Sequence, residues 1–329
     1  MHRKYRKMIE EITSNLYRIE IPLPNNPLKA LNSYVIKSSE RNLIIDTGWN
    51  QQECMDAMQT GLRELGVDIT KTDFFITHLH TDHLGLVASL VTDTSTIYFN
   101  QPDAERIKAG IFLDDLIHSA RLNGFPEKEL QTVSHSHPGF RFRSKKQLTF
   151  HILGGDDAII ISDYAFYCVE TPGHSKGHMC LYEPSKKVFV AGDHILSDIT
   201  PTVTLWSDEW DPLKEYLRSL DKVYELDIEL VLPGHRNTFS NPRERIRELR
   251  HHHQKRLDEI ISILEKGRRN AFQVASRMTW DIMYDSWDLF PVMQKWFATG
   301  EAIAHLKYLE EKGTIHKEIE EQRQVYSLN

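Results

Sequence analysis

The sequence predicts a layered α/β fold over residues 1–240, followed by a small α+β domain over residues 241–329. Three observations predict it. Short runs rich in β-branched and aromatic residues alternate with helical patterns and turn formers through the first part. Several of the apolar strand candidates end in Asp, Gly or His, at the kind of strand exit where open α/β sheets gather functional groups. Past residue 240 long helical patterns take over. The 329 residues, 40% hydrophobic and 26% charged, fit a soluble globular chain and exclude a fibre or a disordered polymer.

The elements follow in order. Residues 16–21, 31–37 and 42–46 read as strands, separated by Pro22, Pro24 and the Asn25-Asn26-Pro27 cluster. Residues 52–65 carry Met55, Met58, Leu62 and Leu65 at helical spacing and close on Gly66. A buried strand over 74–77 runs into His78-Leu-His-Thr-Asp-His-Leu-Gly85. Residues 110–150 are long for a connection and predict helices, a lid, or both. Strands at 158–161, 164–170, 179–182 and 188–191 follow, with exits at Thr171-Pro-Gly-His174 and Gly192-Asp193-His194, and a strand at 230–232 ends in Pro233-Gly234-His235. Residues 243–264 form a long helix pattern; 271–329 then give helix, loop, helix over 293–312, and two short strands near Ile315 and Val325. That order is similar to a winged helix.

Composition narrows the function. The net charge of −7 argues against a wholly basic nucleic-acid binder. The start, MHRKYRKMIEEI, is basic and lacks the apolar stretch of a secretory signal, and no window is apolar enough to span a membrane, so a cytoplasmic protein is expected. Three scattered cysteines make neither a disulfide scaffold nor a cysteine-ligated metal site. Seventeen histidines are the unusual feature. In His78-x-His80-x-Asp82-His83, residues two apart at a strand end point to one side, so His78 and His80 are placed to grip one ion, with Asp82 and His83 past the turn reaching a neighbouring position. Two ions roughly 3.5–4 Å apart would share such a cluster. His174, Asp193 and His235, each at a strand exit, complete the donor count.

The segments THLHTDHLG, TPGHSKGH, AGDH and LPGH resemble the metallo-β-lactamase superfamily, across nearly all of residues 14–240. The resemblance implies an αββα sandwich with two divalent metals at one edge, zinc foremost and iron or manganese as alternatives. It implies that His78, His80 and His174 hold one metal, Asp82, His83 and His235 the other, with Asp193 bridging. Asp82 would also orient or deprotonate the attacking water. Asp46, in the Asp-Thr-Gly that ends the third strand, would fix a ligand histidine from behind. The TPGHSxGH and PGH variants are most similar to the glyoxalase II-like branch, from which the long insert and the tail depart. The tail resembles the winged-helix-like extension of some cytoplasmic members.

The function this predicts is hydrolysis of an ester, thioester or lactone of a small-molecule substrate by a hydroxide between two metals. Two alternatives stand beside it: a phosphodiesterase or endoribonuclease, and a di-iron redox or oxygen-binding protein. The first draws on nine Lys or Arg against five Asp or Glu in residues 241–270, although interleaved acids also suit a solvated helix face. Other features read more plainly. His178 and His194 stand next to the motifs, with packing or solvent roles as the alternative. His135 and His137 suit a loop, His251–His253 a solvated helix face, and Cys168 and Cys180 the core. Trp206 and Trp210 suit a pocket wall or simple packing. The C-terminal domain is a candidate surface for homo-oligomers.

Overall fold

The structure is a computed structural model and describes residues 8–110, 113–141, 147–206, 210–281 and 284–329. The first seven residues, with most of the basic start, lie outside that set. Strands β1 (Ile9–Thr13), β2 (Leu16–Pro22), β3 (Ala30–Ile36) and β4 (Asn42–Ile45) form an antiparallel meander. Helix α1 (Gln52–Leu65) then crosses to β5 (Thr72–Phe75), parallel to β4. Short helices α2 (Thr81–Leu84) and α3 (Val87–Leu90) lead to β6 (Ile97–Asn100), and α4 (Gln101–Ala109), α5 (Leu113–Leu122), α6 (Glu127–Ser136) and α7 (Pro138–Arg141) lead to β7 (His151–Leu153). These strands make a seven-stranded sheet in sequence order.

The second sheet comprises β8 (Ala158–Ile161), β9 (Tyr164–Glu170), β10 (Met179–Glu183), β11 (Val188–Gly192) and, after helix α8 (Pro212–Tyr224), β12 (Leu230–Pro233). Its order is β12-β11-β10-β9-β8, antiparallel except for the β11–β12 pair. The chain then forms α9 (Pro242–Leu264), α10 (Ala271–Ala275), α11 (Val292–Glu311) and an antiparallel hairpin of β13 (Ile315–Glu320) and β14 (Arg323–Leu328).

Burial divides the molecule into layers. Tyr34, Leu43, Ile45 and Phe75 of the first sheet meet Phe166, Leu181, Val190 and Leu232 of the second, so each sheet has its inner face in one shared core. Outside the first sheet, Cys54, Met58 and Leu62 of α1 pack on Ile19, Ile44 and Phe74. Gly66 ends that helix in the left-handed conformation, its N–H capping the Leu62 and Arg63 carbonyls. Outside the second sheet, Leu213, Tyr216 and Leu220 of α8 join Ile246, Leu249 and Leu257 of α9 and Ala302 and Leu306 of α11 over Phe189 and Val231. This is an αββα sandwich with further helices and a hairpin at its C-terminal end. No described helix is long and apolar enough to cross a membrane.

Two expectations need refinement. The insert is helical, and its described part is docked: Ile117, Ala120, Phe125, Leu130 and Val133 close around Trp296 of α11, while Glu129 meets Lys295 at 3.2 Å. His253 was expected on a solvated face, yet it is buried at 1% exposure with its Nδ1 3.0 Å from His305 Nε2. The reason is periodicity: position 253 falls on the same stripe as Ile246, Leu249, Leu257 and Ile260, which all face the core. His251 is exposed, as expected. Cys168 and Cys180 are buried thiols of the core.

Candidate functional site

The site lies where β4, β5, β11 and β12 end. Asp46, just past β4, has φ of 57°. That turns its carboxylate back into the fold, where it accepts the Thr77 N–H and Thr77 hydroxyl, both at 2.9 Å, and His83 Nδ1–H at 2.7 Å. The last bond fixes the tautomer of His83 and leaves Nε2 as a lone-pair donor. Two backbone carbonyls do the same elsewhere: Ala30 takes His235 Nδ1–H at 2.8 Å, and Thr202 takes His174 Nδ1–H at 2.7 Å. His78 Nε2 lies 3.0 Å from His80 Nδ1.

All seven predicted ligand residues converge. Three groups have ligand atoms within 4.8 Å of one another: His78, His80 and His174; His78, His83 and Asp193; Asp82, His83 and His235. The Asp193 carboxylate stands between them, 3.5 Å from His83 Nε2, 3.6 Å from His174 Nε2 and 3.4 Å from His235 Nε2. His235 Nε2 is also 3.5 Å from Asp82 Oδ2. These gaps are long for hydrogen bonds. They are close to the ~3.4 Å edge of a tetrahedron with bonds of about 2.1 Å, the spacing of atoms that share one ion. His83 Nε2, His174 Nε2, His235 Nε2 and Asp193 Oδ1 are moreover buried without a hydrogen-bond partner. Buried polar atoms are rarely left so, and a cation would satisfy all four. The donor set therefore fits metal ions.

Charge agrees with geometry. Burial works against ionisation of Asp82, but the His235 contact and the charge of His83 outweigh it and hold the carboxyl at about 2. Asp193 is likewise buried, and His235 and His83 pull it well below the usual carboxylate range. Burial would depress His83 and His235, but Asp46 and Asp193 lift the former well above its ordinary value, and Asp193 and Asp82 lift the latter to about 10. His80 falls to about 3, through burial and then the neighbouring His174. Two acids are thus held as anions by protonated His83 and His235, and a cation bound there would displace those Nε2 protons and take over their charge.

A family model described as the metallo-beta-lactamase superfamily matches residues 28–235, and one described as the metallo-beta-lactamase-like C-terminal domain matches residues 257–326. The chain belongs to the metallo-β-lactamase superfamily. Like the members of that superfamily it is a hydrolase. A crystal structure of the metallo-beta-lactamase family protein TTHA1429 from Thermus thermophilus superposes with a TM-score of 0.82 at 25% identity, covering 97% of this chain and 100% of the other. The chain is 25% identical to the acyl-coenzyme A thioesterase MBLAC2 of Homo sapiens, over 64% of its length and 75% of the relative's. It is 26% identical to an atrochrysone carboxyl ACP thioesterase of Passalora fulva, over 80% of its length and 66% of the relative's.

In this superfamily chain some site residues had no sequence signature of their own. The carbonyls of Ala30 and Thr202 orient ring nitrogens, and a backbone carbonyl leaves no trace in a sequence; Thr77, whose hydroxyl lies 3.0 Å from His78 Nδ1, does stand at the head of THLHTDHLG. His178 does have a trace, its place in TPGHSKGH: it is buried, its Nδ1 is 2.8 Å from Thr171 Oγ1 and its Nε2 accepts the Asp193 N–H at 3.0 Å. It aims the loop that carries Asp193. His194 packs its ring against Tyr216 and belongs to none of the three groups. Nor do His135, which bonds back to the Gln131 carbonyl at 2.7 Å, or His137, which packs on Trp296 and Phe297. Trp206 stacks on Trp296 with ring centroids 3.9 Å apart.

Proposed function

We propose that this chain hydrolyses a thioester, or a related ester or lactone, with two divalent cations, zinc in this reading. The observation that carries it is the set of three imidazole nitrogens and one carboxylate oxygen, buried, unpartnered and aimed at common points. His78, His80 and His174 would hold one ion and Asp82, His83 and His235 the other, with Asp193 between them. Bound there, the ions supply Lewis acidity and a water whose pKa falls towards about 7.

The chain's own residues do the rest. His78, His83 and His235 are fully buried and Asp193 nearly so, whereas His80, Asp82 and His174 are partly open, so a carbonyl would enter over those three. Asp82, held ionised, suits accepting a hydrogen bond from the attacking water and turning its lone pair towards the carbonyl carbon. Neither Asp82 nor Asp193 keeps a proton at neutral pH to give to a leaving group. A thiolate, the anion of a thiol of pKa ~8.5, leaves without one more readily than an alkoxide does. That asymmetry, together with the two thioesterase relatives, supports the thioester.

The nucleic-acid alternative finds less support. Four of the five α9 arginines are engaged within the molecule: Arg243 with the Tyr224 carbonyl, Arg245 with the Leu196 and Ile199 carbonyls, Arg250 with Asp221 and Arg256 with the Thr279 carbonyl. Metal-replete protein should be assayed against acyl thioesters, lactones, aryl esters, phosphodiesters and short RNA. Thioesters should turn over fastest, and Asp82→Asn should lower that rate by two orders of magnitude or more with folding intact. Preference for phosphodiesters, or an unchanged rate in the variant, overturns the reading.

A further inference from the structure

Asp103 sits in the first turn of α4, fully buried, outside every histidine-bearing motif and outside the three ligand groups. Its carboxylate nevertheless touches two of the loops that carry those histidines. Oδ2 accepts the N–H of Leu79, the residue between His78 and His80, at 3.0 Å. The same oxygen accepts the hydroxyl of Ser175, the residue after His174, at 2.8 Å. Oδ1 accepts the N–H of Gly177 at 2.9 Å. The N–H of Asp103 is in turn anchored on Asn100 Oδ1 at 2.8 Å, the cap of α4.

The approach is close by construction. A Cβ on Gly177 would come within 1.7 Å of Asn100 Oδ1 and 2.8 Å of the Asp103 nitrogen, so a side chain there would push the His174 loop away from the start of α4. Three neutral donors and the positive end of α4 hold the Asp103 carboxylate. Nothing in the reaction asks for this carboxylate, and a buried acid is an expensive way to fill space.

We infer that Asp103 is a positioning residue that clamps the His78–His80 loop to the His174 loop and so sets the spacing of the three imidazoles of the first metal position. It acts through the backbone of Leu79 and Gly177 and the hydroxyl of Ser175, never touching the ion. The inference rests on the two-metal reading, and it predicts an asymmetry. Loosening the clamp weakens the position formed by His78, His80 and His174, while the position formed by Asp82, His83 and His235, which is held by Asp46 and Ala30, keeps its affinity.

The test is stepwise chelator titration of the full-length protein loaded with zinc, and separately with cobalt for its visible bands, comparing wild type, Asp103→Asn and Ser175→Ala. Thermal melting of each metal-free protein is measured alongside. Asp103→Asn replaces an acceptor with an amide that sets a donor against a donor; one equivalent of metal should be lost about tenfold more readily, the low end for groups behind a ligand. The cobalt bands of that equivalent should change. Ser175→Ala, which keeps the carboxylate, should shift the same equivalent by less. Identical titrations in wild type and both variants overturn the inference, as does equal weakening of both equivalents, or a lowered metal-free melting point with unchanged affinity. Should Asp103→Asn fail to fold, Ser175→Ala decides alone. Wild type that takes up no metal overturns the two-metal reading instead.

Discussion

Asp46 acts on the site through Thr77 and, most directly, through His83. Its carboxylate takes the Nδ1 proton, and so Nε2 is the nitrogen left for an ion. In Asp46→Asn the amide can present an N–H to that ring, which favours the tautomer with its proton on Nε2 and removes the lone pair where it is needed. Metal retained after dialysis, measured by elemental analysis, should fall in this variant, with affinity down about 10- to 100-fold. A second residue-scale prediction concerns Glu301, whose side chain is 15% exposed beside Arg256. Burial lifts it from 4.5 to about 7, against the pull of Arg256. Between those values the folded protein keeps a proton that the unfolded chain has lost, so stability falls as pH rises through that window, by up to about 3 kcal/mol. Nearby His305, depressed to about 3 by burial, has the opposite trend below 6.5. Urea denaturation from pH 4 to 8 on wild type and Glu301→Gln isolates the first effect, because the histidine contribution cancels in the difference curve. A flat difference would contradict it.

At the scale of elements, the stretch from Thr202 to Trp206 joins the site to α11. The Thr202 carbonyl holds His174, the Leu205 N–H bonds to the Gly300 carbonyl at 3.0 Å, and Trp206 lies on Trp296. A Cβ on Gly300 would meet Trp206 Nε1 at 2.9 Å and Thr204 Cβ at 3.1 Å. Gly300→Val should therefore lower stability by about 1–3 kcal/mol and also weaken metal retention, although Gly300 is a helical residue far along the chain from His174. Melting and chelator titration of this variant test both halves. The same scale shows what a sequence can and cannot disclose. The limits of α1, β8 and β9 were legible because apolar periodicity and turn residues agree there. β7, three residues with two exposed, and the four-residue β6 carry too little pattern to be seen. The donors at strand exits were legible as side chains, whereas the Thr202 carbonyl belongs to a loop whose course is held by the later helices α9 and α11. His253 was legible in principle, since it keeps step with Leu249 and Leu257.

For the molecule as a whole, the C-terminal region is part of the architecture. One continuous core runs from Phe189 and Val231 of the second sheet through α8 and α9 to Ala275, Leu306 and Tyr326. A chain ending at residue 240 would uncover Leu213, Leu220 and Val223 on the α8 side, an apolar face large enough to drive association. Expressed alone it should be recovered mainly in the insoluble fraction, in contrast to the full chain. Metal removal acts at this scale too. Ions that bind only the folded state at a hundred times their dissociation constant add about 2.7 kcal/mol, so chelation should lower the melting temperature by several degrees, reversibly on adding zinc.

The link between Thr202 and Gly300 has a consequence for biogenesis. Ribosomes make proteins from the amino end, and every predicted ligand is translated by residue 235. The brace on His174, however, leans on a helix that emerges some sixty residues later. A nascent polypeptide therefore presents all its donors before it can set the geometry of one of them, and the brace on His174 forms only once α11 has been made.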